Sequence, residues 1–191
     1  MSTFEFISVL LSIVVGLALT RLLSGVGRAL EIRRGLRFYW VQGVWVVNVG
    51  LLLVAFWWAT LFSHVDQETW LFPNFALLLG YSVLLFLQAV LILPTDLAEG
   101  ADLEAHFFEV RPWFFTLSAL TAVAEFGDTF LHGGLGRVLE FGPYYLFIII
   151  SGVTLGAVGA LTTNRRFHEV LCLAFFLSMT SWMIIRFWAI G

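Results

Sequence analysis

The sequence predicts an all-α protein, a polytopic bundle of six transmembrane helices in a single integral membrane domain. Hydrophobic residues make up 60% of the 191 residues and charged residues only 12%, whereas soluble domains are about 45–50% apolar and about 25% charged. The apolar residues concentrate in six stretches of about 20 residues, the length of helix that spans about 30 Å of hydrocarbon. The four prolines lie at the edges of these stretches, where a missing N–H costs little.

Short polar segments separate the six predicted spans. Pro73, Pro112 and Pro143 begin the third, fourth and fifth spans, and Pro94 ends the third. The fourth span is the least hydrophobic because it contains two carboxylates. The predicted spans are residues 4–23, 38–62, 72–93, 112–131, 143–162 and 170–190.

The connections predict an orientation and one further helix. Residues 95–110 alternate acidic and apolar side chains at spacings of three and four, which predicts an amphipathic helix on the membrane surface that covers the bundle or docks a partner. Seven of the eight arginines in the connections lie on one side of the membrane. Because basic connections stay cytoplasmic, we expect both termini outside, in a bacterial-type inner membrane.

Polar residues in the fourth span are the main candidates for function. Glu125, Asp128 and His132 are spaced three and four apart, so they share one helix face. Arg186 in the sixth span and Glu5 at the start of the first are predicted at a similar depth. Three interpretations remain open: an ion pair between Arg186 and one of the acids, a proton or cation site, and a metal site of His132 with Glu125 and Asp128.

Other polar and small residues predict helix packing. Arg21, Asn48 and Gln88 fall inside spans, where polar side chains usually bond a neighbouring helix or reach the headgroups. Small residues three and four apart on the fifth span favour close helix approach, within the bundle or between copies. These are Gly152, Gly156 and Gly159.

Composition excludes several classes of chemistry. The chain has no lysine, so it cannot form a lysine Schiff base or a phosphate-binding loop with its lysine. One cysteine permits neither an intrachain disulfide nor a multi-cysteine metal site, and a net charge of −3 does not favour nucleic acid. No hydrolase, zinc-protease or dinucleotide motif occurs. These absences favour a protein without enzyme activity but leave that point open; no cofactor is predicted, and membrane lipids are expected contacts.

Phe4-Glu5-Phe6, residues 17–23, residues 45–48 and residues 56–58 resemble small bacterial polytopic membrane proteins that are uncharacterised. The resemblance covers the first two spans and implies no activity. The first functional hypothesis is a non-catalytic membrane protein that forms homo-oligomers or serves as an accessory subunit of a membrane complex. The alternative is a channel or transporter for protons, ions or small solutes. A third is a metal- or haem-containing membrane enzyme, which the position of the histidines near the span ends disfavours.

Overall fold

A computed structural model describes residues 3–64, 70–94 and 96–187, with side chains up to residue 185. Within these residues there are six helices, and each is long and apolar enough to cross a bilayer. The predicted fold, a bundle of six membrane-spanning helices, is confirmed. The helices are α1 (Thr3–Glu31), α2 (Trp40–His64), α3 (Phe72–Ile92), α4 (Leu103–Glu140), α5 (Gly142–Leu161) and α6 (Arg165–Phe187).

We predicted a separate surface helix at residues 95–110, but the longest helix, α4, begins inside this segment. α4 begins at Leu103 because the Asp102 carboxylate accepts hydrogen bonds from two backbone N–H groups of the first turn, at 2.9 and 3.0 Å. Such a cap satisfies donors that a helix start leaves free. Residues 103–110 are therefore the first turns of α4, and Phe107 is fully buried in the bundle. Pro112 lies inside the helix rather than at its start.

The polar part of α4 ends at a break in the helix. Gly133 and Gly134 leave helical geometry, and Gly134 has φ 61°, a left-handed conformation that glycine adopts without steric cost. The helix then resumes to Glu140. His132 is therefore the last residue of the regular helix before the break.

Helix packing places α4 at one side of the bundle, between α3 and α5, while α1 packs on α2 and α3, and α6 packs on α2. An aromatic layer, which we define as Trp45, Phe107, Phe114 and Phe115, fills the interior where α2 meets α4. The Trp45 ring centroid lies 5.4 Å from that of Phe114 and 5.3 Å from that of Phe115. Phe107, Phe114 and Phe115 are at most 1% exposed, so these rings are closely packed.

The glycines of α5 lie against α4. A Cβ at Gly156 would come within 2.9 Å of the Ala119 Cβ and 3.1 Å of the Phe115 carbonyl oxygen, and one at Gly159 would meet the Phe115 ring at 2.8 Å. Such contacts require a residue without a side chain. The small-residue face is thus used inside the bundle and is not left for contact between copies.

The arginine end of the bundle holds the C-termini of α1 and α3 and the N-termini of α2, α4 and α6. The Arg37 guanidinium donates to Asp102 at 2.8 Å, beside a backbone bridge between the same residues, and Arg165 pairs with Glu104 at 3.1 Å. The backbone N–H of Ala105, together with the charge of Arg37, holds the pKa of Asp102 below its ordinary value. The Arg37 contacts link the α1–α2 connection to the start of α4, and the Arg165 pair links the start of α6 to it.

Candidate functional site

The opposite end, which we call the histidine end, brings together His64, Trp70 and His132. The His64 ring stacks on Trp70 at 5.6 Å and lies edge-on to His132 at 4.4 Å. His64 is the last residue of α2 and only 2% exposed. The predicted second span ended at residue 62 and left His64 in a connection, which is wrong. α2 continues two residues further and places His64 in the interior.

A histidine–carboxylate pair joins α2 to α4. His64 Nε2 lies 3.3 Å from Asp128 Oδ1, and His64 Nδ1 lies 3.2 Å from the Thr60 carbonyl oxygen. A carbonyl oxygen only accepts hydrogen bonds, so Nδ1 carries a hydrogen in this arrangement. The contact between Nε2 and Oδ1 then needs one more proton, held either by an imidazolium or by a carboxylic acid.

Glu125, one turn of α4 deeper, is held by a tyrosine. The Tyr81 hydroxyl donates to Glu125 Oε2 at 3.1 Å, and the Tyr145 hydroxyl donates to Thr129 Oγ1 at 2.7 Å. Tyr81 lies about 14 Å along α3 from the start of that helix, at 1.5 Å per residue. That distance is about half the thickness of a hydrocarbon core of about 30 Å.

Polar side chains continue beyond Glu125. Gln88 of α3 donates from Nε2 to Thr121 Oγ1 at 2.7 Å, and its Oε1 accepts from the Ser118 hydroxyl at 3.1 Å. The polar column, as we call it, extends about 21 Å along α4 from Ser118 to His132. On α4 it comprises Ser118, Thr121, Glu125, Asp128 and His132, and its partners are His64, Tyr81 and Gln88.

The polar column ends at the aromatic layer. Arg111 lies along α4 between Phe107 and Phe114; it is 8% exposed, and its Nε has no hydrogen-bond partner among the described residues. His168 of α6 is fully buried, and its Nε2 lies 2.9 Å from the Thr162 carbonyl oxygen. Along α4, Phe114 and Phe115 lie between Arg111 and Ser118, so within the described residues these two rings separate the end of the polar column from Arg111.

Several residues predicted from the sequence lie away from the polar column. Glu5 is exposed in the first turn of α1, which packs on α2 and α3 rather than α4. The Arg186 side chain lies outside the described residues, so the expected ion pair stays a prediction. Arg21 is half-buried on α1. Asn48 is fully buried, and its Nδ2 donates to the Cys172 carbonyl oxygen of α6 at 3.1 Å.

A metal site of His132 with Glu125 and Asp128 was one of the three interpretations of the sequence. Across residues 3–64, 70–94 and 96–187, no group of three or more His, Cys, Asp or Glu side chains is placed to hold a metal ion. Glu125 bonds Tyr81, whereas Asp128 bonds His64, so the two carboxylates and His132 do not converge on one point.

Sequence reasoning missed His64, Tyr81 and Tyr145 as members of the site. Tyr81 could have been found, because it and Gln88 are seven residues apart in a mostly apolar helix and so share one face. Tyr145 and His64 gave no comparable pattern. Only the packing of α2 and α5 against α4 brings them to the acids.

No family model, curated protein or solved structure matches this chain. Fold and site together define its class, a multi-pass helical membrane protein with a column of polar residues that enters its interior from one end.

Proposed function

We propose that this protein binds protons inside the membrane and conducts or transports them, or cations coupled to them. The observation that carries the proposal is the pairing of Glu125 and Asp128 with Tyr81 and His64. Among the arginines whose side chains the structure describes, a set that does not include Arg186, none forms a salt bridge with either acid. Intramembrane carboxylates are costly, and in pumps and channels they serve as proton relays.

The polar column suggests an order of proton transfer. Protons enter at the histidine end, exchange at the His64–Asp128 pair, and reach Glu125 one turn deeper. We propose that this end faces the exterior, because the arginine end is expected in the cytoplasm. Passage to the arginine end requires the aromatic layer to open. In the closed arrangement, Glu125 is loaded from one side only.

The test is proton flux into liposomes that contain the purified protein, driven by a membrane potential. Glu125→Gln and Asp128→Asn keep the size of each side chain and most hydrogen bonds but remove the titratable group. We expect both to abolish flux. Glu140→Gln is the matched control, since Glu140 is exposed on α4 beyond the glycine break. Absence of flux in the wild-type protein, or equal flux in all four proteins, would contradict the proposal.

The second candidate is a non-catalytic accessory or self-associating membrane component. It is favoured by the same hydrogen bonds, because they tie α2, α3 and α4 together and would serve as structural locks. In that case the Glu125 and Asp128 variants lower thermal stability while no flux is measured in any protein. A stoichiometric partner that co-purifies from native membrane would also favour it.

A further inference from the structure

A groove between α1 and α2 opens at the arginine end. Its volume is about 360 Å³, within the range of about 300–1,000 Å³ usual for ligand pockets. The walls are apolar except for Arg33 and Gln42. Leu30, Phe38 and Val47 line the groove and are also 61%, 68% and 49% exposed. The groove therefore opens to the lipid-facing surface.

Charge is placed at one border of this groove. Arg33 follows the last turn of α1, and its Nη1 donates to the Leu30 carbonyl oxygen at 3.1 Å. Since Leu30 also lines the groove, this bond holds the guanidinium beside the apolar walls. Gln42 lies on the buried side, where its Nε2 donates to the Ile92 carbonyl oxygen, and it is 1% exposed. An apolar groove with an arginine at its border matches a molecule with a hydrocarbon chain and an anionic head.

We infer that this groove binds one acyl chain of an anionic phospholipid, whose phosphate pairs with Arg33. Basic pockets between transmembrane helices bind lipid head groups of this kind, and arginine holds phosphate oxygens through two parallel N–H bonds. Arg34 is adjacent in sequence and exposed, but it does not line the groove. For a lipid attracted only by the positive charge of the surface, the two arginines would contribute equally. For a lipid bound in the groove, only Arg33 contributes.

The experiment counts lipids that stay bound to the full-length protein. The protein is placed in nanodiscs of phosphatidylcholine with a minority of phosphatidylglycerol, and native mass spectrometry measures the retained lipid. We expect wild type to retain phosphatidylglycerol selectively. Arg33→Gln should reduce this enrichment about five-fold, the effect of losing one basic residue beside the phosphate, and Arg34→Gln less than about two-fold.

Two further measurements distinguish binding of the acyl chain in the groove from binding of the head group alone. Val47→Trp places a large side chain at the groove opening from an exposed position, so it should reduce lipid retention while leaving the thermal midpoint in neutral detergent unchanged. Glycerol 3-phosphate, which has the head group but no chain, should not compete. Equal losses for Arg33→Gln and Arg34→Gln, full retention in Val47→Trp, or competition by glycerol 3-phosphate would each overturn the inference.

Discussion

Replacing Gly156 by alanine tests the α4–α5 contact on which the position of the polar column depends. The new Cβ would lie 2.9 Å from the Ala119 Cβ, 3.1 Å from the Ala119 backbone N and 3.1 Å from the Phe115 carbonyl oxygen. Two of these atoms are backbone, so the helices themselves must separate. Overpacking of this kind costs about 1–3 kcal/mol. Alanine offsets part of it, because it is favoured over glycine in a helix by up to about 1 kcal/mol.

Gly16→Ala supplies the matched control for this prediction. A Cβ there would meet no atom within 4 Å, so only the helix preference remains and the variant should be as stable as wild type or more so. We expect the two variants to differ by about 2 kcal/mol, or roughly 4–8 °C in thermal midpoint. The assay is thermal unfolding in detergent, followed by helical circular dichroism. If Gly156→Ala is as stable as Gly16→Ala, the close approach of α4 and α5 is wrong.

Three more predictions follow from the described contacts. The pKa of Asp102 is lowered in the folded state, so its carboxylate stabilises the fold above about pH 4, and this contribution is lost as pH falls through the folded pKa. Asp102→Asn should therefore flatten the acid side of a plot of thermal midpoint against pH. An unchanged plot would contradict this prediction. A double-mutant cycle of Gln88→Leu with Thr121→Val should give a coupling of about 0.6–1.7 kcal/mol in chemical unfolding, whereas additive effects would exclude the bond. Cys172 is fully buried, so a maleimide should label it only after denaturation, and rapid labelling of the native protein would show that α6 does not cover it.

The sequence by itself determined that the protein lies in lipid and that it has six membrane-spanning helices. Six apolar stretches of spanning length admit few alternatives, because a backbone in hydrocarbon must satisfy its own hydrogen bonds within each helix. It also determined that Glu125, Asp128 and His132 share one face of α4, since that face follows from helical spacing alone. The start of α4 was harder to predict. Pro112 suggested a beginning, but the Asp102 cap and the buried Phe107 extend the helix toward the arginine end.

Only the tertiary structure decided what the acids of α4 touch. Helical spacing fixes direction along one helix, but rotation of each neighbour about its own axis is set by packing, which no local pattern records. The steric fit of Gly156 and Gly159 against α4 and the burial of His64 at the end of α2 settle those rotations. As a result Asp128 meets a histidine and Glu125 meets a tyrosine, at positions that depend on all four helices α2 to α5.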